Sequence, residues 1–239
     1  MNQQRRRALG ALTHTLGIGK IDLQLLDMAL THPSYAMEHQ LEGDNQRLEF
    51  LGDAVVDLLM GEYLYRAFPN DDEGKLTKMR ASLVCEEALA EAARKLGLSA
   101  YLLLGRGEEA TGGATRPSNL ADAWEAMCGA IYLSCGAEVL KPVLETYLDH
   151  AITMVKGGYY GDYKTRLQEY IQQEPNHTIT YELLEERGPA HDRDFYVEVC
   201  VDGKSCGRGW GKSKKLAQRE AALQALIAFG ELPQLENER

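Results

Sequence analysis

The hydrophobic repeat changes once along this chain, and that change limits the folds open to it. From residue 22 to about residue 155 apolar side chains recur at helical spacing, as in Leu48, Leu51, Val55, Val56, Leu59 and in Leu83, Leu89, Ala92, Leu96. After Gly157, Gly158 and Gly161 the period falls to two: Ile179, Tyr181, Leu183, then Phe195, Val197, Val199, Val201. Asp202-Gly203 is a hairpin turn of the kind that needs positive φ. A third strand follows over about Lys204 to Trp210, and a last helix runs from about Ser213 to Phe229. In a two-residue hairpin Val199 faces Cys206 and Cys200 faces Ser205, which puts the two cysteines on opposite sheet faces.

The expected organisation is multidomain. An all-α domain spans 1–156, a glycine-rich linker 157–161, a small α+β domain of order α-β-β-β-α 162–231, and an acidic tail 232–239. Pro69-Asn70 ends one helix, and the glycine-rich stretch Gly105–Ser118 reads as a mobile loop.

Of the 239 residues, 44% are apolar, enough for a real core, so global disorder and fibrous structure are excluded. No run approaches the ~18–20 apolar residues of a membrane span. Arg5, Arg6 and Arg7 precede a mildly apolar stretch, but Thr13, His14 and Thr15 interrupt it and no small-residue cleavage site follows. It reads as the first helix of a cytoplasmic protein that engages no membrane. Five cysteines without a Cys-x-x-Cys pair read as reduced thiols. A net charge of −10 argues against a nucleic-acid partner on average. Yet Gly203–Arg219 carries Lys204, Arg208, Lys212, Lys214, Lys215 and Arg219 and no acid. Three of these lysines fall at a helix start, where the dipole also favours phosphate.

The acids that matter sit on apolar helices. In NQRLEFLGDAV, with Asp44 or Asn45 as N-cap, Glu49 and Asp53 are four residues apart and project from one helix face about 40° apart. Asp57 continues the stripe. In the otherwise uncharged run LADAWEAMCGAIYL, Asp122 and Glu125 are three apart, again on one face. A buried carboxylate needs a cation or hydrogen-bond donors. Each pair taken alone fits a helix cap or an ion pair with Arg47, Lys78 or Arg80. Two such helices together can converge on an oxygen-only site, which hard divalent cations prefer.

These residues resemble the ribonuclease III family of double-stranded-RNA endonucleases. Asn45–Val55 is similar to the family's signature helix and Leu120–Leu133 to its second catalytic helix, with ALTHPSY (29–35) and GKLTKMRA (74–81) around them. The second part resembles a double-stranded-RNA-binding domain, through KTRLQE (164–169), GPAHDRDF (188–195) and GWGKSKKLAQREAA (209–222). The resemblance covers nearly the whole chain. It implies an all-α endonuclease domain followed by a small α+β double-stranded-RNA-binding domain.

Carried over by position, the resemblance makes Glu49, Asp53, Asp122 and Glu125 the catalytic and metal-binding carboxylates, with Mg²⁺ as cofactor and Mn²⁺ able to substitute. Glu73 matches a further acid near the cleavage site. Phe50 matches an aromatic at a homodimer interface. Thr165, Gln168, Glu169, His191, Lys212, Lys214 and Lys215 match RNA contacts. The implied function is Mg²⁺-dependent cleavage of double-stranded RNA to 5′-phosphate and 3′-hydroxyl ends, in ribosomal-RNA precursor and messenger-RNA processing. One position departs: Gln46 stands where the family usually has Glu, keeping an acceptor and losing the charge. The alternative reading is therefore a double-stranded-RNA-binding protein with weak or no cleavage.

Overall fold

Most of the early helices begin at a side chain able to cap them. The Asn2 side chain accepts the Arg5 N–H and opens α1 (Gln3–Thr15). Asp22 caps α2 (Leu23–Ala29), and His32 caps α3 (Pro33–Glu38), whose proline takes a first-turn position that lacks a hydrogen-bond partner anyway. Asp72 caps α5 (Glu73–Leu83). At α4 (Gln46–Ala67) the sequence pointed to Asp44 or Asn45. Asn45 holds the N-cap position with no side-chain bond, and it is the Asp44 carboxylate that accepts the Gln46 N–H, at 3.1 Å. Gly97, at φ 71°, closes α6 (Glu86–Leu96) in the left-handed conformation that glycine adopts without strain. Three more helices, α7 (Arg106–Ala110), α8 (Pro117–Cys135) and α9 (Ala137–Tyr147), lead to α10 (Asp149–Lys156).

The computed structural model describes residues 1–174, 176–189 and 193–233. The chain divides into two compact units, Met1–Thr153 and Met154–Arg239. In the first, α8 is the central helix and packs on α2, α4, α6 and α9. Trp124, Met127, Cys128 and Ile131 are fully buried there, and Leu48, Val56, Leu59 and Leu64 of α4 and Leu89, Ala92 and Ala93 of α6 are buried as well. Removing that much apolar surface from water is the main stabilising term, about 1.5–3 kcal/mol for each large side chain.

The stretch Gly105–Ser118 departs from its expected mobility. It folds into α7 and a 3-10 turn (Gly113–Thr115) before α8 begins. The Glu108 carboxylate accepts from Arg116 and, at 2.7 Å, from Asn119 Nδ2, which also reaches the Gly113 carbonyl at 3.1 Å. These bonds join residues up to eleven apart and pin the loop onto the start of α8.

The second unit contains α11 (Tyr163–Ile171), β1 (Ile179–Arg187), β2 (Asp194–Val201), β3 (Lys204–Gly211) and α12 (Lys214–Ala228), the α-β-β-β-α order expected. The strands form one antiparallel sheet in the order β1-β2-β3. Val197 and Val199 join Tyr163, Leu167, Ala217, Ala221 and Leu226 in its core. A Cβ on Gly207 would lie 2.4 Å from the Ala221 carbonyl oxygen, so only glycine lets α12 lie this close to β3. The β2–β3 turn is at Asp202 (φ 50°) and Gly203 (φ 76°) as read from the sequence, and Cys200 pairs with Ser205. Val199, however, pairs with Gly207 and not with Cys206, which is the extra residue of a bulge. All five cysteines are free thiols.

Residues 157–161, read from the sequence as a linker, pack onto the second unit. Tyr159 is buried in that unit's core and donates its hydroxyl to the Pro233 carbonyl, while Arg166 Nη1 donates to the Gly158 carbonyl at 3.0 Å. No described helix is long and apolar enough to cross a membrane.

Candidate active site

Two glycines bring the acid-bearing helices together. A Cβ on Gly52 of α4 would lie 1.8 Å from the Glu125 carbonyl oxygen of α8, and one on Gly129 of α8 would lie 2.5 Å from the Leu48 carbonyl oxygen. The helices therefore cross in backbone contact. Glu49 stands one turn before Gly52, and Asp122 and Glu125 approach the crossing from α8. Carboxylate oxygens of Glu49, Asp122 and Glu125 all lie within 4.8 Å of one another. Asp53, the fourth expected ligand, is exposed and falls outside that group. Among the described residues none of the three grouped acids has a hydrogen-bonding or ion-pairing cation. The Arg80 guanidinium turns to Asp57 instead, at 3.7 Å.

Burial and mutual repulsion leave their mark on the protonation of these groups. Glu125 is pushed up to about 8, first by its removal from water and then by the charges of Asp53, Asp122, Glu49 and Asp57. Glu49 is raised by burial, then by Asp122, Asp44 and Asp53. Asp122 is raised by burial and Glu86, with nearby His32 opposing. Three converging carboxylates, unpaired by protein cations and offering oxygen alone, suit a hard divalent cation. His32 itself is tied to Ser34, its Nδ1 2.8 Å from the Ser34 Oγ, at the N-cap of α3. Gln46 and Glu73, the first residues of α4 and α5, are exposed and outside the three-acid group. The Glu73 carboxylate accepts from the Thr77 hydroxyl at 3.1 Å.

The second unit presents its basic groups at the start of α12, where Ser213 caps the helix and Lys212, Lys214 and Lys215 are exposed. On α11, Thr165, Gln168 and Glu169 are exposed, and the Thr165 hydroxyl donates to the capping Asp162 at 2.9 Å. The Lys164 ammonium sits 4.8 Å above the Tyr181 ring and donates to Gln218 at 2.7 Å. His191 lies outside the described residues.

Residues 22–151 match the family described as ribonuclease-III-like, and residues 163–228 match the double-stranded RNA binding motif. The chain is 45% identical over 226 residues to ribonuclease 3 of Moorella thermoacetica, covering 95% of this chain and 97% of that protein. The chain belongs to the ribonuclease III family. Ribonuclease 3 of Enterococcus faecalis is 47% identical over 217 residues, covering 90% of this chain and 94% of that one. A solved structure of the ribonuclease III nuclease domain from Campylobacter jejuni, described for flexibility in a region of dimer formation, is 43% identical with a TM-score of 0.55. It covers 59% of this chain and 95% of its own. As a member of the ribonuclease III family the protein is a ribonuclease, and the family implies a divalent metal that the three-carboxylate group is able to hold.

Sequence reasoning missed the two glycines that set the crossing, although a glycine on each acid-bearing apolar helix was there to be noticed. It also missed Leu58 and Tyr65, which extend the exposed face of Phe50 along α4.

Proposed function

We propose that this protein is a Mg²⁺-dependent endoribonuclease that cuts double-stranded RNA to 5′-phosphate and 3′-hydroxyl ends with a two-nucleotide 3′ overhang. The observation that carries the proposal is the group of three carboxylates within 4.8 Å, lacking any cationic partner among the described residues, in a chain that also has a double-stranded RNA binding motif. Glu49, Asp122 and Glu125 are the residues that would hold the cation, and Asp53 adds charge at the rim. A bound divalent cation acidifies the attacking water and offsets the negative charge that grows on the phosphodiester. Burial and the charges of the neighbouring acids favour the protonated form of Glu125, and a cation held there would offset that repulsion and favour the carboxylate. No protein nucleophile is required, since water attacks phosphorus directly.

The grouped acids and Asp53 beside them repel RNA, so affinity has to come from elsewhere. Lys212, Lys214 and Lys215 supply it, with Thr165, Gln168 and Glu169 toward one minor groove and His191 toward the next. A-form RNA offers a deep, narrow major groove, so recognition rests on shape, phosphates and 2′-hydroxyls.

The active form in this reading is a homodimer in which each subunit cuts one strand. Phe50, Leu58 and Tyr65, spaced eight and seven residues apart on one face of α4, are 80%, 67% and 74% exposed. Large apolar side chains aligned on a helix and open to water mark an interface. The cellular setting proposed is the cytoplasm and the processing of ribosomal-RNA precursors and messages. End-group analysis tests the chemistry: products of a long RNA duplex should accept ligation through their 5′-phosphates, and 5′-hydroxyl ends would refute the 3′-oxygen as the leaving group.

A further inference from the structure

Three basic groups of the second unit, Arg193, Lys212 and Lys214, are already engaged by acids. Glu186, near the end of β1, places Oε1 3.5 Å from the Lys214 Nζ and Oε2 2.9 Å from the Arg193 Nη1. Asp194, at the start of β2, places Oδ1 3.0 Å from the Lys212 Nζ. One carboxylate thus spans two cations with its two oxygens, as a pair of phosphate oxygens would, and a second holds the neighbouring lysine.

We propose that Glu186 and Asp194 are built-in phosphate surrogates. They hold Lys212, Lys214 and Arg193 in place in the free protein and give way to RNA phosphates, so they set the affinity threshold for duplex RNA. The proposal rests on the reading that this face binds RNA.

All five side chains are at least one-third exposed, and ion pairs in that setting are weak enough for a polyanion to displace. Displacement leaves each carboxylate close to the incoming phosphate. Repulsion between unit charges ~5 Å apart in water reduces binding about threefold, and salt screens it. A ligand that presents several phosphates at fixed spacing overcomes both acids at once. One that presents few does not. Glu186 and Asp194 therefore lower affinity for every polyanion while sharpening the preference for a regular duplex.

The test is a titration of the intact protein with a fixed RNA duplex in EDTA, read by fluorescence anisotropy at several salt concentrations. It compares wild type, Glu186→Gln, Asp194→Asn, Lys214→Ala and the Glu186→Gln/Lys214→Ala pair. Each acid replacement should tighten binding about threefold at low salt, and the gain should fade as salt rises. Lys214→Ala should weaken binding, and in its background the Glu186→Gln gain should shrink. If Lys214→Ala weakens binding while the acid replacements leave it unchanged or weaker, the acids are not surrogates and the RNA face stands. An undiminished Glu186→Gln gain in the Lys214→Ala background also overturns the surrogate role. If Lys214→Ala changes nothing, the assignment of this face to RNA fails first.

Discussion

The Glu125 carbonyl oxygen lies 1.8 Å from where a Cβ on Gly52 would have to go. The three-carboxylate group is therefore organised by what Gly52 lacks. With no side chain between them, α4 and α8 touch backbone to backbone, and Glu49 meets Asp122 and Glu125 across the contact. Any side chain at residue 52 would have to push the helices apart.

Gly52→Ala should lower stability by about 1–3 kcal/mol, the usual cost of overpacking a tight core, and should loosen cation binding as the carboxylates separate. Gly61→Ala on the same helix is the control, because its Cβ would meet nothing nearer than the Arg80 Cδ at 3.9 Å. Urea unfolding of the two variants distinguishes them. Equal midpoints would remove the crossing as the organising contact.

Glu125, raised to about 8, together with Glu49 and Asp122 raised from their ordinary values, fixes the sign of a pH effect. A carboxyl with a raised native pKa binds more protons folded than unfolded, so its stabilisation is complete below the unfolded value and is lost as pH climbs through the native one. In EDTA the melting temperature should fall between about pH 4.5 and pH 8. Mg²⁺ should reduce the fall, and Glu125→Gln should remove most of it. A melting temperature that does not change over this window in EDTA would contradict the crowding of these acids.

Phe50→Asp should turn the proposed homodimer into a monomer at micromolar concentration, since it puts charge into the apolar stripe of α4. Light scattering on a sizing column reads the mass directly. A variant that keeps twice the chain mass would move the interface elsewhere.

Much of this was legible before any coordinates. The change of hydrophobic period separates the helical unit from the sheet, and the acids expected to converge from two apolar helices do so for Glu49, Asp122 and Glu125. The features that escaped depend on contacts between residues whose sequence distance hides them. Gly105–Ser118 looks mobile by composition, yet Glu108 gathers Arg116 and Asn119 to order it. The glycines at 157–161 suggest a linker, yet Tyr159 among them is a core residue. The bulge at Cys206 shifts pairing by one residue, which a strict two-residue period cannot show. Likewise the basic segment looks unopposed because Glu186 and Asp194 reach it from other strands.

Cleavage and binding measured side by side address the central claim most directly. Wild type and Glu125→Gln are each incubated with a long RNA duplex, with and without Mg²⁺, and run on denaturing and native gels. The expected result is cleavage by wild type in Mg²⁺ alone, with Glu125→Gln shifting the duplex as well as wild type and leaving it intact. Cleavage by Glu125→Gln at the wild-type rate would contradict the assignment of the three-carboxylate group as the catalytic centre.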